Sequence, residues 1–313
     1  MEAGTQTLGG AAPGGNPLGA ARRRWGEEVI RGLLFLAAVI SILTTAGIVV
    51  ALLTESLSFF QEVGTRFFTD SSWSPLFSDP QFGIWPLLNG TFLITGIAIL
   101  VAVPLGLGSA VYLSEYASPR TRRILKPALE VLVGVPTVVF GYFALTFITP
   151  QILQAIGIEV QVFNALSAGI VMGIMIVPTI ASISEDAMSA VPQGLREGAY
   201  GLGSTKRQVA TRVVFPAATS GIVASIVLGI SRGVGETMIV LLAAGLAPNT
   251  GVNPTEGYAT ITTFMGATAK GDNPAGTIGY ESIFACGLTL FVLTLFMNMI
   301  AIRFVRKYRE VYE

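Results

Sequence analysis

Apolar residues in this chain come in long blocks rather than in the three-to-four-residue rhythm of a soluble amphipathic helix. Six blocks stand out, at about 33–53, 87–112, 127–148, 163–183, 219–246 and 282–302. Each is near the ~20 residues that a helix needs to cross a ~30 Å hydrocarbon core. Lipid offers no hydrogen bonds, so every backbone polar group in a block must be satisfied internally, which predicts helices. The expected fold class is an all-α polytopic membrane protein with six transmembrane helices. Arg22, Arg23 and Arg24 precede the first block in the manner of a secretory signal. That block exceeds the roughly 7–15 apolar residues of a signal, and no A-x-A-like cleavage site follows, so it reads as a retained anchor.

Polar positions orient the blocks. Basic residues gather in alternate connections: Arg22, Arg23, Arg24 and Arg31; Arg120, Arg122, Arg123 and Lys126; Arg196, Lys206, Arg207 and Arg212; and Arg303, Arg306, Lys307 and Arg309. The opposite set holds only Arg66 and Lys270. Basic loops stay inside, which puts both termini in the cytoplasm of a multi-pass plasma (inner) membrane protein. Residues 1–20 are rich in Gly, Ala, Pro and Thr with one acid, Glu2. They have too little apolar surface to offset ordering entropy. The chain is divided into a disordered cytoplasmic tail (1–24), a transmembrane domain (25–305) and a short cytoplasmic tail (306–313).

Two long connections face out. One, 57–86, holds Phe59, Phe60, Phe67, Phe68, Trp73 and Trp85, in part an interfacial aromatic belt. The other, 247–281, carries Pro and Asn turn signals, with a short amphipathic helix predicted at 261–269. Pro104, Pro136 and Pro178 fall in or near the second, third and fourth blocks, as packing kinks or as hinges.

Composition narrows the chemistry. The chain is 52% hydrophobic and 12% charged, with a mean hydropathy of +0.67; a soluble domain carries roughly 25% charged residues. Lys plus Arg and Asp plus Glu are 19 each, so no basic field exists to hold nucleic acid. With no histidine, a Ser-His-Asp or Cys-His centre and every His-ligated metal are excluded. Cys286 is the single cysteine, which excludes an intrachain disulfide and Cys-cluster metals. No metal, no cofactor and no catalytic residue is expected.

The connection at 185–216 is the longest internal one on the basic side. Pro192 suits the first turn of a helix, Gly201 and Gly203 suit its end, and Thr205 with Gln208 forms a capping-box pair for a second helix. Gly198 and Gly203 have the spacing of a phosphate-binding loop, but the lysine after the second glycine and the preceding strand are missing. A nucleotide, if one is used, must therefore be bound elsewhere.

This segment resembles the cytoplasmic loop of ABC-importer permeases. That loop reads Glu-Ala-Ala, three residues, Gly, nine residues, Ile, one residue, Leu-Pro. Here Glu197-Gly198-Ala199 leads to Gly203, and nine residues later to Val213, Val214, Phe215 and Pro216. The departures, at Gly198, Val213 and Phe215, are small or apolar. The resemblance implies a MetI-like permease fold and a helix that docks on an ATP-hydrolysing subunit. Gly198, Ala199 and Gly203 would allow close approach, Tyr200 and Leu202 would anchor, and Arg196 and Glu197 would be rim charges.

Further stretches, among them Phe82-Gly83-Ile84-Trp85-Pro86, Gly134-Val135-Pro136-Thr137 and Ser231-Arg232-Gly233-Val234-Gly235-Glu236-Thr237, are similar to the phosphate-specific importer permeases, C-type subunit, over about 25–305. The resemblance implies one transmembrane half of an ATP-driven phosphate importer. Its implied partners are a second, A-type permease, two cytoplasmic ATP-binding subunits and an external phosphate-binding protein. The A-type subunit, or a permease for molybdate or sulfate, is the alternative. A channel or secondary carrier would not need the docking loop, and an enzyme would need a cluster of catalytic groups that the spans lack.

Arg232 lies near the middle of the fifth block, where an arginine costs about 2.5–3.5 kcal/mol on insertion scales. Glu236 is four residues on and is expected on the same helix face as its ion-pair partner. The pair either neutralises itself or contacts an anion, since guanidinium matches phosphate oxygens in a fork. The resemblance assigns it to the phosphate pathway. Glu130 reads as a solvated interface carboxylate.

Overall fold

The computed structural model describes residues 25–307 apart from 76, 78, 272, 273 and 275. The 1–24 tail, with Arg22 to Arg24, and residues 308–313, with Arg309, lie outside the described residues. Two compact units divide at residue 50. Described residues 25–50 of the first unit belong to one helix, α1 (Trp25–Val63), and almost all their side chains are exposed, as suits a surface that meets lipid.

The second unit carries the rest. In chain order, α2 (Arg66–Thr69) precedes α3 (Trp85–Val111), which widens into a π-helical turn at Tyr112–Tyr116. Then come α4 (Pro119–Val133), α5 (Thr137–Phe143) with a π-helical extension over Ala144–Leu153, and α6 (Ala165–Ser189). The connection from 185 to 216 forms α7 (Gln193–Gly201), α8 (Lys206–Val209), a π turn at Ala210–Val214 and the start of α9 (Phe215–Ala217). After it come α10 (Thr219–Val234), α11 (Met238–Ala243), α12 (Ile261–Thr268) and α13 (Ile278–Lys307). Four helices, α1, α3 with its π turn, α6 and α13, are long and apolar enough to cross a membrane. The count reaches six if two bent pairs are each one span. These pairs are α4 with α5 and its extension, at 88°, and the 206–217 helices with α10, at 71°.

The blocks read from the sequence are thus found, but two are broken. The third breaks at Gly134–Pro136, because Pro136 donates no hydrogen bond and forces the residue before it out of the helical region. Pro104 and Pro178 stay inside continuous helices. The fifth breaks at Gly235–Thr237, between α10 and α11.

α6 is the central helix and packs mainly on α3. In lipid no hydrophobic drive brings helices together, so close backbone approach through small residues must do so. A Cβ on Gly169 would stand 2.6 Å from the Cβ of Ile97, and one on Gly173 would stand 2.8 Å from the carbonyl oxygen of Ala98. Met172, Met175 and Ile176 fill the core between these contacts. Asn164 starts α6. Its Oδ1 accepts from the Ser167 amide at 2.7 Å, and its Nδ2 donates to Thr149 Oγ1 at 3.2 Å. That cap ties α6 to the π-helical extension and is worth about 1 kcal/mol.

The 57–86 and 247–281 connections are not free loops. Trp73 and Ser74 pair with Phe82 and Gln81 in a two-stranded antiparallel ribbon, a small exception to the all-α expectation. Phe59, Phe67, Trp73 and Phe82 are buried in one edge-to-face cluster, joined by Phe264 of α12 at 4.7 Å from Trp73. Only Phe68 and Trp85 of the expected aromatic belt are largely exposed, so most of these rings are core. The predicted helix at 261–269 is α12, but it is buried rather than amphipathic at a surface. Asn89 on α3 donates to the carbonyl oxygens of Asn249 and Gly251 at 3.0 and 2.7 Å, which folds the second connection onto the helices. Gly90 admits it: a Cβ there would meet the Ala259 carbonyl oxygen at 2.2 Å.

Candidate functional site

The break in the fifth block rearranges the charged pair expected there. α10 ends at Val234, and Gly235 closes its last turn. Glu236 then turns its carboxylate onto the start of α11. Its Oε1 accepts from the amides of Thr237, Met238 and Ile239 at 3.1, 2.9 and 3.2 Å. Its carbonyl oxygen, freed by the break, accepts from Thr262 Oγ1 at 2.7 Å. Four polar groups that an unbroken helix would have satisfied are therefore satisfied locally. The expected i,i+4 ion pair is not formed: no carboxylate reaches Arg232 among the described residues. The i,i+4 geometry needs a continuous helix, and Gly235 interrupts it.

Arg232 stays in the last turn of α10, half-buried. A cation there gains about 0.3–1 kcal/mol from the helix dipole. That falls short of the ~2.5–3.5 kcal/mol cost of an arginine at mid-span. Gly229 and Gly233 on the same helix pack against Ile176, Ile180 and Thr95, which seats α10 on the central helix. Leu228, one turn before Arg232, is exposed.

The 185–216 connection forms the two helices that its residues predict. Pro192 precedes α7, and Thr205 and Gln208 exchange both bonds of the capping box. Gly203 has φ +81°, with the Gly203 amide on the Tyr200 carbonyl and the Ser204 amide on the Ala199 carbonyl. Glycine is needed there for a left-handed turn, not for a crowded contact, because nothing lies within 4 Å of its Cβ position. Gly198 also faces open space. Leu202 is 90% exposed and Tyr200 is 44% exposed, so an apolar, small-residue surface stands free. Glu197 is exposed, while Ala199 is half-buried against the inner apolar cluster.

Arg196 is not the expected rim charge. It is buried, and donates to the carbonyl oxygens of Val191 and Met188 and, at 3.1 Å, to Glu115 Oε1. It ties α7 to the end of α6 and to the π turn after α3. Its neighbours Leu195 and Glu197 are both exposed, so nothing local signals burial; the partner is 81 residues away.

A second ion cluster was not legible. Glu185, fully buried near the end of α6, accepts from Arg122, from Lys126 Nζ at 2.8 Å and from Ser189 at 3.0 Å. Lys126 also reaches Asp186 at 2.7 Å. The cluster holds α4 on α6. A weak signal did exist: an acidic pair, Glu185-Asp186, at the very start of a basic connection, two residues past an apolar block.

Residues 102–310, two thirds of the chain, match the family described as binding-protein-dependent transport system inner membrane component. The chain is 33% identical over 289 residues to the probable ABC transporter permease protein YqgH of Bacillus subtilis, covering 91% of this chain and 93% of that protein. It is 32% identical over 289 residues to the phosphate transport system permease protein PstC of Haemophilus influenzae, covering 86% and 90%. To PstC 1 of Mycobacterium tuberculosis it is 32% identical over 315 residues, covering 89% and 92%. Among solved structures, it resembles a chain of a bacterial alginate ABC transporter bound to its periplasmic protein. The TM-score is 0.62 at 19% identity, covering 91% of this chain and 98% of that one. A chain of the MetNI methionine ABC transporter, inward facing, gives 0.54 at 18% identity, covering 73% and 95%. These likenesses show the fold. With its broken spans and these relatives, the chain belongs to the inner-membrane permeases of binding-protein-dependent ABC importers.

Proposed function

We propose that the chain is the C-type transmembrane half of an ATP-driven phosphate importer. The observation that carries this reading is Arg232, a half-buried cation in an apolar span with no carboxylate partner among the described residues. A permanent charge of that cost calls for an anion in transit. The guanidinium fork fits two phosphate oxygens. Glu236, held by three amides, keeps its own charge turned to α11, and its negative field limits how tightly an anion is held, as conduction requires. Identity to PstC proteins supports phosphate as that anion.

In this reading a second, A-type permease closes the pathway, and two cytoplasmic ATPases dock on the α7–α8 segment. An external binding protein delivers phosphate to the outer connections. Catalysis belongs to the ATPases. The basic residues of the inner connections support cytoplasmic termini. Cysteine labelling tests the sidedness in a Cys286→Ser background. An impermeant thiol reagent outside sealed cells should label Thr255→Cys and spare Ser204→Cys; labelling of Ser204→Cys would invert the topology.

Phosphate uptake, normalised to assembled complex, tests the pathway. Arg232→Gln should lose about tenfold to a hundredfold, as when a charge-assisted contact worth about 1.5–3 kcal/mol is removed. Glu236→Gln keeps an acceptor for the amides and should lose less. Since the two side chains are not paired, the double variant should stay as inactive as Arg232→Gln. Recovery in the double variant would return the pair to a structural role. Competition by sulfate or molybdate equal to that by phosphate would reassign the substrate.

Docking is tested at Gly203. Valine in a left-handed turn costs about 1–2 kcal/mol locally, and it should move Leu202 and Ser204. Gly203→Val should insert normally yet lose uptake and ATPase stimulation, whereas Gly201→Ala, with open space and ordinary backbone, should retain both. Normal uptake by Gly203→Val would argue against a docking role.

A further inference from the structure

We propose that Thr262, on α12, is a positioning residue for the anion contact: it fixes where α10 ends and so where Arg232 stands. The inference rests on the reading of Arg232 as that contact. Arg232 lies in the last turn of α10, which Gly235 closes without a side chain of its own to hold it in place. Backbone bonds join this turn to the break. The Gly235 amide donates to the Ser231 carbonyl at 3.3 Å, and the Glu236 amide donates to the Gly233 carbonyl at 3.1 Å. Arg232 stands between those two acceptors in sequence, so a shift of the Glu236 peptide is passed to it. That peptide is held from outside the span. Thr262 is buried, and its Oγ1 donates to the Glu236 carbonyl oxygen at 2.7 Å. The hydroxyl has one proton and the carbonyl only accepts, so in the 3.0 Å contact between Thr260 and Thr262 the donor is Thr260. One turn on, on the same face of α12, Gly266 meets the next residue of the break: a Cβ there would stand 3.1 Å from Thr237 Cγ2.

α12 can serve as a fixed base because other elements hold it. The Ile261 amide donates to Thr91 Oγ1 of α3 at 3.3 Å. Phe264 stands edge-on to Trp73 with ring centres 4.7 Å apart. Met265 packs on α13, where a Cβ on Gly287 would lie 3.2 Å from its Cε. None of these anchors uses the Thr262 hydroxyl. Removing that hydroxyl leaves α12 seated and releases the break. A guanidinium fork must meet two oxygens at once, so a displacement on the order of 1 Å is enough to spoil the match.

The test is phosphate uptake by the whole importer, normalised to assembled complex. Thr262→Val keeps the shape of the side chain and removes the donor; it should assemble and lose about tenfold per complex. Thr262→Ser keeps the donor and should transport like the wild type. In an Arg232→Gln background the guanidinium is already gone, so Thr262→Val should add little further loss, as expected of two changes that act on one contact. Gly266→Ala reaches the same turn by another route. Its methyl presses on Thr237 with the Thr262 hydroxyl still in place, and uptake should fall; Thr237→Ser, which removes the opposing methyl, should restore it. That pair decides the matter if Thr262→Val fails to assemble. Normal uptake per complex by Thr262→Val, an equal loss in Thr262→Ser, or an undiminished further loss in the Arg232→Gln background would each overturn the proposal. So would normal uptake by Gly266→Ala, or no recovery of it by Thr237→Ser. Arg232→Gln alone checks the importer reading separately: if it loses uptake and Thr262→Val does not, only the positioning role falls.

Discussion

Three amides at the start of α11 converge on one carboxylate oxygen of Glu236, and much of the structure follows from that contact. Inside a membrane a helix cannot simply stop, because each uncapped amide costs several kcal/mol without water to bond. Glu236 supplies the missing acceptor from its own position in the chain. The break it permits frees a carbonyl that Thr262 bonds, which brings buried α12 against the same point. It also takes Glu236 away from Arg232. A charge that a continuous helix would have neutralised is left without a carboxylate partner among the described residues.

The two ends of the bundle are fixed by different physics. At one end, aromatic edges and a two-stranded ribbon pin the 57–86 and 247–281 connections onto α3, with Gly90 letting backbone meet backbone. At the other, ions do the fastening. Glu185 and Glu115 are buried carboxylates, each met by arginine, and breaking such a pair typically costs about 3–5 kcal/mol because one charge is left uncompensated. Through Arg196, α7 is anchored to α6 and to the turn after α3. Leu202 stays exposed, and open space surrounds Gly198.

Hydropathy made the spans legible, and local rules made the caps legible: Thr205 with Gln208 needs only four consecutive residues. The breaks were not legible in the same way. Gly235 and Thr237 sit in a stretch that stays apolar on average, and the acceptor that makes a break affordable looks, by spacing, like half of an ion pair. Pro136 was visible as a proline but not as the one proline of three that ends a helix. Burial at long range was the other blind spot. Arg196 beside Glu197 reads as surface charge until Glu115 is brought to it, and Phe59, Phe67 and Trp73 read as an interfacial belt until Phe264 closes over them.

The central claim is that position 232 needs a positive charge for transport, not for folding. Chemical restoration of that charge tests it most directly. In a Cys286→Ser background, Arg232→Cys should assemble but lose at least about tenfold in phosphate uptake. Treatment with an aminoethyl thiosulfonate, which returns a cation to the side chain, should restore a substantial part of it. The neutral methyl reagent should restore none. Equal recovery with both reagents, or near-native uptake by untreated Arg232→Cys, would contradict the account.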